Sequence, residues 1–253
     1  MVRDLHRRRG RERRGLALAE GVRLVEEVLD TGVEVRAVLT SPALEGTERG
    51  RALKTALAAA GVPVAEATDP ELAKLAATEH PQGVLAVIVP RLWTLNDVAI
   101  APRAVVLVLD AIQDPGNVGA IVRTALALGA AGVITLPGTA ELTNPKTLRA
   151  AMGAGFRLPN ISAPEAAAEA WLDREGYTVA ATASEGSPLE PDRLPSRLAL
   201  VLGNEGSGLT SSLGRNAALT LSIPLRPGVE SLNVAVAAGI FLHGACRERT
   251  RDQ

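Results

Sequence analysis

Val105-Val106-Leu107-Val108-Leu109 is an unbroken apolar run, closed by Asp110. A run this short reads as a strand buried on both faces, the kind found in parallel sheets with helices on each side. The chain beyond it keeps the same rhythm. A turn at Gln113 to Gly119 leads into a helix through Ile121, Val122, Ala125 and Leu128, stopped at Gly129. Val133 to Leu136 reads as the next strand. Asn144-Pro145 opens a helix, with Asn as cap and Pro at its first position. Pro164 to Arg174 reads as another helix, and 178–183 and 198–202 as strands. Leu219, Leu221, Ile223 and Leu225 alternate as a strand should. Arg226-Pro227-Gly228 marks a turn, and Ser231 stands as a cap before the apolar run Leu232 to Leu242. Strands alternating with helices define an α/β class with a mostly parallel sheet covered on both faces.

The residues before this rhythm form a smaller α/β unit. Leu16 to Ala19, Val33 to Leu39, Val62 to Ala65 and Gly83 to Val89 read as strands. Gly21 to Leu29 and Glu48 to Ala60 read as helices, the second stopped at Gly61. Asp69-Pro70 opens a third helix, with Asp69 as its cap. Residues 90–103 carry two prolines and no period. The expected division is 1–92, a linker at 93–103, and 104–253.

Charge is unevenly placed. The net charge of the 253 residues is −1, which alone does not suggest a nucleic-acid binder. Yet seven arginines stand against Asp4 and Glu12 in the first fourteen residues, a local +5 that leaves −6 for the rest. Arg7, Arg8, Arg9, Arg11, Arg13 and Arg14 form the candidate phosphate-binding cluster. The competing reading is a solvated, disordered tail. A single cysteine, Cys246, excludes an internal disulfide, and His6, His80 and His243 are not at metal-ligand spacing, so no metal is expected. With no apolar run of about 18 residues and no signal peptide, a cytoplasmic protein without membrane contact is expected.

Three polar turns fall at the carboxyl ends of the predicted strands, where ligands of such sheets sit. The first holds Asn117, with Arg123 about two helical turns on. The second is Gly203-Asn204-Glu205-Gly206-Ser207-Gly208, running straight out of a buried strand. Its glycines permit close backbone approach to a ligand. Its spacing is not that of the dinucleotide fingerprint or the phosphate loop. The third brings Ser231 and Asn233 to a helix start, where free N–H groups gather. Each alone has a plain structural reading: a snorkelling arginine, a tight turn, a capped helix.

Taken together, DPGNVGAIVRTALALGA, VLGNEGSGL and IPLRPGVESLNVAVAAGI resemble, in order and spacing, the three motifs of the SpoU (TrmH-like) family of RNA ribose 2′-O-methyltransferases. GRERRGLALAEGVRLVEEVL and TEHPQGVLAVIV more loosely resemble the ribosomal-protein-like substrate-binding domain often attached to that family. The resemblance implies a deep trefoil knot in the C-terminal domain, S-adenosylmethionine bound in it, and a homodimer formed through it. It implies that Gly203, Ile223 and Leu232 touch the cofactor's adenosine part, mainly by backbone. It makes Asn117, Arg123, Glu205, Ser231 and Asn233 the catalytic candidates. Arg123 is read as a clamp on the phosphate beside the target ribose, because a guanidinium rarely gives up its proton. Glu205 would orient these groups or accept a proton. The implied partner is RNA rather than DNA, with ribosomal RNA ahead of transfer RNA. Two other readings stay open: a non-catalytic RNA-binding or ribosome-assembly protein of the same fold, and a Rossmann-type enzyme binding nicotinamide or flavin.

Overall fold

The computed structural model describes residues 1–204, 206 and 208–246. In chain order it runs α1 (Val2–Leu5), α2 (Arg8–Arg14), β1 (Ala17–Glu20), α3 (Val22–Asp30), β2 (Val35–Thr40), α4 (Glu48–Ala59), β3 (Val64–Glu66), α5 (Asp69–Ala73) and β4 (Val84–Ile88). There follow β5 (Ala104–Leu109), α6 (Pro115–Ala127), β6 (Gly132–Thr135), α7 (Pro145–Ala151), α8 (Ala154–Arg157), β7 (Asn160–Ser162) and α9 (Glu165–Arg174). β8 (Thr178–Pro188), β9 (Arg197–Leu202), α10 (Ser212–Arg215), β10 (Leu219–Ser222) and α11 (Val234–Cys246) complete it. Two compact units result: Met1–Arg91 with Thr143–Arg157, and Leu92–Leu142 with the residues from Leu158 onward.

The first unit holds a four-stranded sheet in the order β1-β4-β2-β3. The apolar strand β4 is antiparallel to both neighbours, and only β2 and β3 run parallel. Val25 and Val28 of α3 and Leu53 and Leu57 of α4 pack in its core. So do Leu148 of α7 and Phe156 of α8, from a segment that sequence order assigns to the second domain. α5 is capped by Thr68 rather than Asp69. Thr68 and Glu71 form a capping box, while Asp69 accepts the Ala43 N–H at 3.0 Å. A cap must precede the helix, and Asp69 already lies within it.

The arginine cluster is folded as α1 and α2. Arg11 is 5% exposed, and its Nη1 donates to the carbonyls of Leu5 and His6, each at 3.0 Å. This corrects Arg11 as an outward phosphate ligand: it holds α2 to the end of α1, and burial lowers its pKa. Arg13 and Arg14 pair with Asp4 at 2.6 and 2.8 Å, and Arg8 with Glu12 at 2.7 Å. Among the described residues, the exposed side chains of Arg7 and Arg9 make no ion pair.

The second unit holds a six-stranded sheet, parallel throughout, in the order β10-β8-β9-β5-β6-β7. β5 is buried along its whole length at the centre. β6 and β7 step away from β5 on one side, and β9, β8 and β10 lie on the other. The order therefore reverses between β5 and β9, and in open parallel sheets ligands bind at such a point. Val106, Val108, Ile134 and Val201 share a core with Trp171 and Leu172 of α9. Burying each such side chain contributes roughly 1.5–3 kcal/mol. Val98, in the stretch read as linker, is buried in this same core.

Candidate active site

Three elements define the site. The first is the loop leaving β9. A Cβ on Gly203 would lie 2.6 Å from the carbonyl carbon and oxygen of Gly208, so only glycine fits there. Asn204 and Gly208 then form an isolated antiparallel bridge, with N–H to carbonyl distances of 3.0 and 2.8 Å. Asn204 braces the turn from within, its Oδ1 accepting the Gly206 N–H at 2.8 Å. Glu205 lies outside the described residues.

The second element is the approach to α11. The strand reading of Leu219 to Leu225 holds only to Ser222, so Ile223 and Leu225 lie beyond β10. The helix starts at Val234, and Asn233 rather than Ser231 caps it. Asn233 Oδ1 accepts the N–H groups of Ala235 at 3.0 Å and Val236 at 3.4 Å. A cap side chain reaches only two or three residues onward, and the capped N–H groups of Ala235 and Val236 lie four and five residues beyond Ser231. The third element is α6. Its cap is Asp114, whose Oδ1 accepts from Gly116 and Asn117. Asn117 is therefore in the first helical turn, not in the loop before it.

These elements meet in two places. Asn233 Nδ2 donates to Asn117 Oδ1 at 3.1 Å, across 116 positions of sequence. A cavity of about 460 Å³ is lined by Gly203, Asn204, Ile223, Ser231 and Leu232, with Phe241 of α11 behind them. Four of the sequence candidates thus share one hollow, and a fifth and sixth join at the start of α11. Arg123 does neither. It is exposed on α6, does not line the cavity, and makes no hydrogen bond or ion pair among the described residues. Six residues past Asn117, it is carried about 9 Å along the helix and about 120° around it.

Sequence reasoning missed three contributors. Thr182 and Ser184 line the cavity from the far half of β8, which runs five residues past the strand expected at 178–183. The signal was present: an apolar strand ending in the polar tract Thr182-Ala183-Ser184-Glu185. Glu230 also lines the cavity, and it is the charged residue among the described lining side chains. Among the described residues, no group of three His, Cys, Asp or Glu could hold a metal, and no helix is long and apolar enough to cross a membrane.

A parallel sheet with a glycine-walled hollow at the carboxyl ends of β8, β9 and β10 defines an α/β domain built to take a small-molecule ligand. The chain belongs to the SpoU rRNA Methylase family, whose model matches residues 104–243. Residues 1–86 match the MRM3-like substrate binding domain. The 23S rRNA (guanosine(2553)-2′-O)-methyltransferase RlmP of Bacillus subtilis is 34% identical over 240 residues, 94% of this chain and 92% of that protein. The SpoU methyltransferase AviRb of Streptomyces viridochromogenes, solved in complex with the cofactor AdoMet, superposes with a TM-score of 0.85 at 27% identity. That match covers 98% of this chain and 96% of the other. An AdoMet-bound rRNA methyltransferase of Sinorhizobium meliloti gives a TM-score of 0.83 at 30% identity, covering 98% and 93%.

Proposed function

We propose that this protein transfers a methyl group from S-adenosylmethionine to a ribose 2′-hydroxyl of RNA, with ribosomal RNA as its substrate in the cytoplasm. The observation that carries this is the cavity at the carboxyl ends of β8, β9 and β10, with the Asn117–Asn233 contact joining α6 to α11 in the same unit. Its residues fit the cofactor. About 460 Å³ is in the range of roughly 300–1,000 Å³ that small-molecule sites occupy. Gly203 leaves backbone where a side chain would block, Ile223 and Leu232 offer apolar surface, Ser184 offers a hydroxyl, and Thr182, whose hydroxyl donates to the Val201 carbonyl, offers an acceptor oxygen. When bound, S-adenosylmethionine supplies an electrophilic methyl group on a sulfonium.

The chain's own residues then have three tasks. Gly203, Ile223 and Leu232 hold the adenosine part by backbone groups. Asn117, Ser231 and Asn233 position the ribose and the approach to α11, while Glu205 orients them or takes the hydroxyl proton. Arg123 clamps the phosphate next to the target ribose and steadies the developing alkoxide. Because Arg123 does not line the cavity of its own chain, the clamp is contributed by Arg123 of the partner subunit in a homodimer. Support for a dimer comes from α11, which exposes Val236 and Ile240 one turn apart, at 53% and 44%. We place a deep trefoil knot here as well, since α11 follows the edge strand β10 yet packs back against α6 and the central β5. Exposed Arg7, Arg8 and Arg9, with the paired Arg13 and Arg14, supply RNA affinity from the first unit.

The test is methyl transfer to ribosomal and transfer RNA from cells lacking the gene, with 2′-O-methyl mapping. A new 2′-O-methyl site in ribosomal RNA is expected. Methyl groups found only on bases, or no transfer despite cofactor binding, would sink the reading.

A further inference from the structure

Among its described residues the glycine loop carries the two-bond Asn204–Gly208 bridge and the Asn204 side-chain brace. The loop and the chain leaving it are also fastened to the two residues that follow β5. Asp110, 1% exposed, accepts the N–H of Thr210 at 2.7 Å, the Thr210 hydroxyl at 2.6 Å and the N–H of Ser211 at 2.7 Å. Asn204 Nδ2 donates to the carbonyl of the adjacent Ala111 at 3.1 Å. Ala111 has φ +55°, in the left-handed region that a residue with a Cβ seldom adopts. Such a conformation persists only where its surroundings over-determine it.

We propose that Asp110 is a positioning residue for the cofactor: its carboxylate, through Thr210 and Ser211, fixes the glycine loop in the form that makes the cavity wall. The inference rests on the reading that S-adenosylmethionine occupies that cavity. Among the described residues no cation pairs with Asp110, so the loop's own donors are what satisfy its charge. Any shift of the loop strands a buried carboxylate, which is costly. Burial pushes the Asp110 carboxyl up, but the hydrogen bonds from Ser211 and Thr210 more than offset this and hold it below the usual carboxylate range. Glu165 repeats the device one step along, accepting from the Ser212 hydroxyl at 2.6 Å and the Leu213 N–H at 2.8 Å. That second fastening keeps α10 in place if the first is weakened, so loop shape and fold can be separated.

Calorimetric binding of S-adenosylmethionine tests this, alongside amide hydrogen exchange of residues 204–211 in the ligand-free protein. Thr210→Val removes one bond to Asp110 at constant shape, Thr210→Ser keeps it, and Asp110→Asn removes the charge. Ala237→Phe fills the cavity from α11 without touching the loop. Thr210→Val is expected to speed exchange in the loop and weaken cofactor binding by about tenfold. Thr210→Ser should restore both, and the cofactor KM should rise without the RNA KM. Asp110→Asn should exceed Thr210→Val, and if it fails to fold, Thr210→Val decides alone. Wild-type affinity in Thr210→Val, with binding lost in Ala237→Phe, overturns the positioning role. Wild-type affinity in Ala237→Phe overturns the cavity reading, and this proposal with it.

Discussion

β4 and β5 look alike as sequence, and each is fully buried at an inner position of its own sheet. Yet β4 runs antiparallel to both neighbours, while β5 runs parallel to both. A continuous apolar run reports burial on two faces, not direction. The difference that matters lies at the strand ends. In the first unit the acidic group at the end of β1 is already spent. Glu20, 4% exposed at the end of β1, accepts from Ala77 N–H at 2.8 Å and from the backbone and hydroxyl of Thr78. Gln82 Oε1 accepts the Val22 N–H at 3.0 Å. The smaller hollow of about 200 Å³ beside β2 and β3 is edged by Lys54, which Glu45 holds at 2.5 Å and Glu66 at 3.8 Å. In the second unit, fastenings of the same kind leave a larger hollow open with Ser184 and Ser231 on its wall, beside Thr182, whose hydroxyl donates to the Val201 carbonyl at 2.9 Å. One set of polar ends stabilises a scaffold, and the other shapes a site.

The contrast has measurable consequences. Substitutions in the first unit should move stability, and those around the second unit's site should move chemistry. The largest effect is expected for Phe156→Ala. Phe156 is 3% exposed in the first unit's core, and its loss should cost about 3–5 kcal/mol. Denaturant unfolding of the full chain would show it, and an unchanged first-unit transition would mean that 143–157 is not part of that core. Next is Arg123→Lys. Loss of the bidentate clamp should lower methyl transfer by about 10²-fold, as when one donor to a developing oxyanion is removed. Folding stability should stay within about 0.5 kcal/mol, since Arg123 is exposed. Activity near wild type would remove the clamp role. Third is Glu20→Gln, which trades an acceptor for a donor facing the Ala77 and Thr78 N–H groups. It should cost about 1–3 kcal/mol of stability with no change in cofactor affinity. A change in cofactor affinity alone would break the contrast between the units.

Much of this was legible in the sequence, for definite reasons. Apolar runs located β4, β5 and β9, because burial on both faces leaves no room for polar residues. Asn144-Pro145 located the start of α7, because cap chemistry is local: Asn144 Oδ1 does accept the Lys146 N–H at 2.9 Å. Gly203, Ile223, Ser231 and Leu232 were gathered by motif order, and they line one cavity. What failed was set by long-range contacts. The packing of Leu148 and Phe156 into the first unit depends on where α7 and α8 dock, which no local pattern records. Asp110 reads only as the end of an apolar run, although it follows β5 as Glu205 follows β9 in sequence, because its partners lie a hundred positions away. The arginine run looked uniform, and nothing local shows that Arg11 turns inward while Arg7 and Arg9 stay free of ion pairs.

That last distinction gives the smallest expected effect. Arg7 and Arg9 are exposed without an ion pair among the described residues, whereas Arg13 and Arg14 share Asp4. The hydrogen bond from Arg14 leads the interactions that lower the Asp4 pKa, so this carboxylate stays charged at neutral pH. An arginine already neutralised by a neighbour displaces fewer counterions when it meets a phosphate than an unpaired one does. Arg7→Ala with Arg9→Ala should therefore weaken RNA binding a few-fold and flatten its dependence on log salt by up to about one unit per contact. Arg13→Ala with Arg14→Ala should change the slope less. Asp4→Asn separates pairing from position, because it frees Arg13 and Arg14 where they stand. If it steepens the salt dependence, ion pairing rather than place in the sequence decides which arginines of α2 meet RNA. Equal slopes in all three variants would show that this cluster does not touch the backbone of the RNA at all.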